Sequence, residues 1–106
     1  MAAIRLSVPD TATAGEVIEI KALIQHPMES GFRRDSRGEA VARDIITRFE
    51  CLYAGETVFA GDFFPAVSAN PFLTFHTRAT ETGTLVFRWT DQDGQSWEDA
   101  AEILVE

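Results

Sequence analysis

The chain has 106 residues, 45% of them hydrophobic and eight of them phenylalanine, which suits one folded domain over residues 1–106 and excludes a disordered chain. Its formal net charge of −8 disfavours a nucleic-acid partner, because an acidic surface repels the phosphate backbone. Lys21 is the single lysine and no stretch is apolar enough to span a bilayer, so neither a polybasic membrane patch nor a membrane helix is expected.

Short alternating runs separated by turn residues predict an all-β domain. The predicted strands cover residues 4–8, 16–25, 45–54, 57–64, 72–80, 84–90 and 95–105. About seven strands in a chain of this length are typical of an immunoglobulin-like β-sandwich. Alternation also predicts the inward faces, which carry Ile18, Ile20, Ala22 and Ile24, then Thr47, Phe49, Cys51 and Tyr53, and later Leu85, Phe87 and Trp89.

Two connections stand out from the strands. Residues 26–44 form a loop of unusual length that opens with "HPMESGFRRD", and loops longer than about 15 residues in compact domains are commonly functional. The second, "PAVSANP" at 65–71, is bracketed by prolines and cannot continue a strand.

The sequence offers little that predicts catalysis or a metal site. The two histidines, His26 and His76, and the single cysteine, Cys51, show none of the short spacings of zinc or copper ligands. Cys51 lies in the middle of a predicted strand, where burial favours an inert thiol over a nucleophile. We therefore predict no catalytic residue, no metal ligand and no cofactor.

The two unusual loops are better explained as a surface that binds another polypeptide than as a catalytic or metal site. Aromatic, methionine and arginine side chains are enriched at the centres of protein interfaces, and they are concentrated here. An equally open alternative is that each loop packs back on its own sheet. The predicted partner-binding residues are His26, Met28, Phe32, Arg33, Arg34, Phe63, Phe64, Asn70 and Phe72.

These same loops carry a family resemblance. The segments "HPMESGFRRD", "RDIITRFECLYAGETVF" and "DFFPAVSANPFLTFHTRATETGTLVFRWTDQDG" resemble the Z subunits of the SoxYZ sulfur carrier, from about residue 4 to the end of the sequence. The resemblance implies an immunoglobulin-like subunit that pairs with a Y subunit. The Y subunit holds sulfur intermediates on the cysteine of a Gly-Gly-Cys-Gly-Gly arm and presents them to the Sox enzymes that oxidise thiosulfate.

The resemblance also implies a location and a division of labour. Z subunits lack an export signal and reach the periplasm bound to Y, and "MAAIRLSVPD" shows no signal peptide. No Gly-Gly-Cys-Gly-Gly sequence occurs among the 106 residues, so the carrier thiol is expected on the partner. The expected role is that of a non-catalytic subunit.

Two other functions stay open on the sequence alone. One is a free-standing sandwich that binds a small ligand or glycan, which would need an exposed aromatic platform built on Trp89 or Trp97. The other is a metal-dependent oxidoreductase that uses His26 and His76.

Overall fold

The computed structural model describes residues 3–64, 67 and 69–106, and the regular structure in these ranges is entirely β. No helix in that part of the chain is long and apolar enough to cross a membrane. The eight strands are β1 (Ile4–Ser7), β2 (Thr11–Ala12), β3 (Val17–Ile24), β4 (Ile46–Tyr53), β5 (Glu56–Asp62), β6 (Phe72–Arg78), β7 (Gly83–Asp91) and β8 (Ser96–Val105). The prediction of an all-β fold is confirmed, and the strand that the sequence did not predict is the two-residue β2.

The strands form two sheets that face each other. One sheet has the order β1-β3-β6, and the other has the order β2-β8-β7-β4-β5. All neighbours are antiparallel except β2 and β8, which run parallel over Thr11–Leu104 and Ala12–Val105. The predicted immunoglobulin-like sandwich is therefore confirmed in its architecture.

The core consists of the predicted inward faces except at the start of β4. There the pairing register with β7 shifts between Ile46 and Arg48, so Ile46, predicted on the outer face, is fully buried, and Thr47, predicted to point inward, is only half-buried. The alternating apolar residues of β3 are all at most 3% exposed, and Phe49 and Cys51 on β4 are fully buried. Phe59 on β5 stacks on Phe75 of the opposite sheet with ring centroids 4.4 Å apart, and Phe49 lies 6.0 Å from both rings. Aromatic pairs of this kind contribute about 0.5–1.5 kcal/mol beyond area burial, and this group joins the two sheets.

Residues 29–44, which the sequence predicts as a loop, form a projecting hairpin that we call the arm. Glu29 and Asp44 exchange two backbone hydrogen bonds of 2.8 Å at its base, and Arg34 pairs with Ala40 farther out. The chain reverses near Gly38, whose φ of +82° suits glycine, and the amide of Gly38 donates to the carbonyl of Asp35 over 3.0 Å. The arm connects the end of β3 to the start of β4.

The arm explains why the molecule is long and narrow. Its extents are 58 × 21 × 20 Å and its radius of gyration is 16.1 Å, against about 13 Å for a compact chain of this length. The longest strand, β8, has 10 residues and spans about 33 Å, at about 3.3 Å per residue. Eight residues on each side of the arm add about 26 Å, so strand and arm laid end to end account for the length.

Part of the second predicted loop, at 65–71, lies outside the described residues, namely Pro65, Ala66 and Ser68. Its end is described: the carbonyl of Pro71 accepts a hydrogen bond of 3.4 Å from the amide of Ile24. This bond places the start of β6 beside the end of β3, where the arm begins.

Candidate functional site

The two unusual loops meet at one end of the sandwich. The amide of His26 donates to the side-chain oxygen of Asn70 over 2.9 Å, and the amide of Asn70 donates to the carbonyl of His26 over 2.7 Å. Asn70 adopts a φ of +53°, a conformation that asparagine tolerates better than most residues. The sequence predicted each loop separately, and this reciprocal pair brings them into one surface.

His26 and Met28 form a buried support beneath this surface. They are 6% and 5% exposed. The Nδ1 atom of His26 accepts a hydrogen bond of 3.0 Å from the amide of Met28, and the Met28 sulfur accepts one of 3.3 Å from the amide of Ile46. Met28 has a φ of +50°, a conformation that costs energy in a residue other than glycine, so the surrounding bonds must hold the turn in place.

The two adjacent arginines of the arm are bound within the arm itself. The guanidinium of Arg33 donates to both carboxylate oxygens of Glu29, at 2.7 to 3.2 Å, and Nη1 of Arg34 donates to the carbonyl of Gly38 at 2.9 Å. The hydrogen bond from Arg33 lowers the pKa of Glu29, and the hydrogen bond to Glu29 raises the pKa of Arg33. Both arginines are exposed, and each is bonded to a residue of the arm itself.

Three of the predicted aromatic residues are exposed and one is not. Phe32 on the arm is 86% exposed, Phe64 is 66% exposed and Phe72 is 57% exposed, whereas Phe63 is 9% exposed and joins the core. Exposing a phenylalanine side chain to water costs a free energy of about 25 cal/mol for each Å² of apolar surface. Three of them flank one end of the molecule, which is the pattern expected of an interaction surface.

A groove of about 400 Å³ connects the arm to the region of Phe63 and Phe64. Arg43 lines it from the base of the arm and Arg48 lines it from β4. Arg48 pairs with Asp62 at 3.1 Å, so the groove combines an apolar floor with a charged rim. Grooves of this composition suit the polar rim and apolar centre of protein interfaces.

The predicted partner-binding residues thus divide into two groups, and their role in binding stays a prediction. His26, Met28 and Phe63 are buried and position the loops from below. The side chains that a partner could touch directly are Phe32, Arg33, Arg34, Phe64, Asn70 and Phe72.

Cys51 does not have the environment of a reactive thiol. It is fully buried between the two sheets, beside Phe59 and Phe87 in register, and burial raises its pKa to about 12. A thiol acts as a nucleophile or carrier only as the accessible thiolate. Cys51 is not accessible to solvent, and its raised pKa keeps it in the thiol form at neutral pH.

The two other functions that the sequence left open lose their structural basis. His26 follows the end of β3, whereas His76 pairs opposite Glu19 near its start, so roughly 20 Å of strand separates the histidines. Trp89 is fully buried, and Trp97 is partly buried with its ring 5.8 Å from that of His26. The described residues therefore contain neither a two-histidine site nor an exposed tryptophan platform.

Solved structures resemble this chain in fold. The sulfur carrier protein SoxY from Chlorobium limicola f thiosulfatophilum superposes with a TM-score of 0.68 over 97% of this chain and 78% of that one, at 17% identity. A superoxide reductase (neelaredoxin) from Ignicoccus hospitalis superposes with a TM-score of 0.72 over 97% of this chain and 80% of that one, also at 17% identity. At this identity both show the fold alone. The comparison with curated proteins found no match.

The family comparison is specific. The family described as sulphur oxidation protein SoxZ matches residues 4–102, which include both sheets, the arm and the region of Phe63 and Phe72. The chain therefore belongs to the SoxZ family of sulphur oxidation proteins.

Proposed function

We propose that this chain is the non-catalytic subunit of a SoxYZ carrier: it binds a SoxY subunit as a heterodimer and helps to present that subunit's thiol to the enzymes of sulfur oxidation. The family supports the pathway, and the likeness in fold to a SoxY protein is compatible with two similar sandwiches packing together. The periplasm is the location that the family resemblance implies.

The observation that carries the proposal is the state of Cys51. The only thiol of the chain is buried under two sheets, with its pKa raised to about 12. A sulfur carrier must expose a thiolate to one enzyme after another. The covalent chemistry therefore belongs on a partner, and this chain contributes a rigid surface.

The surface we assign to SoxY is the end of the sandwich where the arm and the region of Phe63 and Phe72 meet. Exposed Phe32, Phe64 and Phe72 supply apolar contact, and the groove between Arg43 and Phe64 supplies a recess. A stable heterodimer needs more than about 1,000 Å² of buried surface, and three aromatic side chains would form only its centre.

Co-expression with a SoxY-family subunit tests the proposal. We expect the two chains to co-purify, and native mass spectrometry to give the sum of one copy of each. Phe32→Ala should weaken the pairing, and its matched control is Val17→Ala, at an exposed position at the far end of β3. Two chains that elute separately at micromolar concentration would refute the heterodimer.

A further inference from the structure

The two sheets of the sandwich present outer faces of opposite charge. The outward positions of the β1-β3-β6 sheet carry three cations, Arg5, Lys21 and Arg78, against one anion, Glu19. We propose that this outer face, which we call the basic face, is a second docking surface and that it binds an acidic surface of an enzyme that acts on the carrier. The identity of the occupant as such an enzyme rests on the proposed function, whereas the charge of the basic face is a property of this chain alone.

The strand register places these side chains on one side of the sheet. Positions 17, 19, 21 and 23 of β3 point outward, because the alternate positions 18, 20, 22 and 24 are buried. On the neighbouring strands Arg5 pairs opposite Leu23, His76 opposite Glu19, and Arg78 opposite the first residue of β3. The three cations are all exposed, so they form one accessible surface.

Glu19 neutralises only part of the basic face. One of its carboxylate oxygens lies 3.5 Å from Nζ of Lys21, and the other lies 3.5 Å from Nε2 of His76. Arg78 donates a hydrogen bond of 2.7 Å to a backbone carbonyl. Among the described residues, neither Arg5 nor Arg78 forms an ion pair. Two positive charges therefore remain available to a partner.

The rest of the chain has the opposite balance of charge. The arm, residues 29–44, holds four arginines and four acids, so its net charge is zero. Outside the arm and the basic face, the sequence holds twelve of its 17 acids and only two of its nine basic residues. A chain with a net charge of −8 thus combines a face of +2 with a remainder of −10. An acidic partner is attracted to the basic face and not to the arm.

The opposite side of the sandwich has an acidic outer face. The outward positions of β4, β5, β7 and β8 carry two arginines and four acids, namely Arg48, Glu50, Asp62, Arg88, Glu98 and Glu102. Both arginines are already paired, Arg48 with Asp62 at 3.1 Å and Arg88 with Glu98. An acidic partner therefore meets attraction on one side of the sandwich and repulsion on the other, which orients its approach.

The size of the basic face suits a short-lived complex. The face extends about 20 Å along β3 and about 10 Å across the three strands, which is about 200 Å² of sheet. A stable complex buries about 800 Å² on each partner. A small, charged surface favours fast association and fast dissociation, and a carrier that visits one enzyme after another needs both.

The position of the basic face also suits an enzyme that acts on the carrier. Its last row consists of Arg5, Leu23 and Phe72, so the face ends at the surface that we assign to SoxY. An enzyme bound to the basic face would therefore lie beside the bound SoxY subunit.

Other occupants fit the basic face less well. Nucleic acid or an anionic membrane would extend beyond a face of this size and meet the acids around it. A second copy could place its acidic face on the basic face, but the pair would again have one free face of each kind. Heterologous contacts that do not close produce open chains of subunits, which does not suit a carrier.

Titration of the ¹⁵N-labelled chain with a glutamate decapeptide, followed by NMR, tests the basic face directly. We use about 0.1 M NaCl, where the Debye length of about 10 Å separates the two outer faces of a sandwich about 20 Å thick. We expect amide shifts on β1, β3 and β6 that disappear at about 1 M NaCl. Lys21→Gln combined with Arg78→Gln should weaken peptide binding by about threefold or more. Lys21→Gln alone, which leaves the hydrogen bond of Arg78 intact, should show about half of this effect on the binding free energy.

The matched control is Arg48→Gln combined with Arg88→Gln. It also removes two positive charges, but from the opposite face, and should leave the peptide affinity within about 1.5-fold of the wild-type value. Shifts on the arm or on the five-stranded sheet would overturn the assignment. Equal peptide affinity of the basic-face and control variants would overturn it as well.

Association rates between the SoxY complex and each Sox enzyme in turn test the choice of partner. With the basic-face double variant we expect a rate about threefold lower or more for at least one enzyme, and unchanged co-purification with SoxY. Wild-type rates with every enzyme would contradict the assignment, as would salt-sensitive oligomers of the chain alone or binding to phosphatidylglycerol vesicles that the double variant loses. Peptide shifts on the basic face without co-purification of SoxY would refute the heterodimer and support the basic face.

Discussion

Replacing Phe32 by alanine tests whether the arm contacts SoxY in the complex. A phenylalanine buries about 200 Å² when fully covered, and 86% exposure leaves about 170 Å² of Phe32 for a partner to cover. At about 25 cal/mol per Å², complete coverage is worth about 4 kcal/mol, and coverage of half the ring about 2 kcal/mol. We therefore expect Phe32→Ala to raise the Kd for SoxY by about 30-fold.

The same substitution should leave the free chain folded. The ring makes little contact within its own molecule, so the free energy of unfolding should change by less than about 0.5 kcal/mol. Titration of SoxY into both proteins by calorimetry measures the affinity, and urea unfolding measures the stability. Val17→Ala is the control: it removes another exposed apolar side chain, 55% exposed, at the opposite end of β3, and should not change the Kd. A Kd for Phe32→Ala within twofold of the wild-type value would refute the assignment of the arm to the interface.

Two further predictions concern the sandwich itself. The hydroxyl of Tyr53 donates to the carbonyl of Glu81 and accepts the amides of Thr80 and Glu81, so Tyr53→Phe should lower the free energy of unfolding by about 1–3 kcal/mol in urea; a loss below about 0.5 kcal/mol would contradict this. Cys51 has a pKa of about 12, so about one molecule in ten thousand carries the thiolate at pH 8, and the side chain is fully buried. A thiol reagent should therefore label Cys51 far more slowly in buffer than in urea. Equal labelling rates would contradict the assignment of Cys51 as inert.

The sandwich could be predicted because its core follows a simple period. Strands with one buried face alternate, and the inward positions of β3, of β7 and of β4 from Phe49 onward could be read from that alternation. The irregular pairing at the start of β4 breaks the period, so Ile46 rather than Thr47 is fully buried there. Strand β2 could not be predicted, because two residues are too few to show a period and their pairing with Leu104 and Val105 is a long-range contact. Boundaries of the other strands shifted by one or two residues: β3 and β4 are one residue shorter than predicted at each end, whereas β7 is one residue longer at each end.

The arm and its attachment to the β7–β8 turn depend on contacts that no local pattern reveals. The arm alternates poorly and is held by two isolated residue pairs and by side chains such as Arg33 bound to Glu29. The attachment joins Gln92 to Arg43 and Ile45, which are far from it in sequence, through side-chain and backbone hydrogen bonds. His26 lies in a predicted loop, where a histidine is expected to face solvent, yet it is buried and forms hydrogen bonds with Met28 and Asn70.

Intact-mass analysis of the co-purified complex, after incubation with thiosulfate and the Sox enzymes, tests the account most directly. We expect two chains in the spectrum, with every sulfur adduct on the SoxY subunit and this chain at its unmodified mass of 11.7 kDa. A sulfur adduct on this chain, or the absence of a second chain from the complex, would contradict the account.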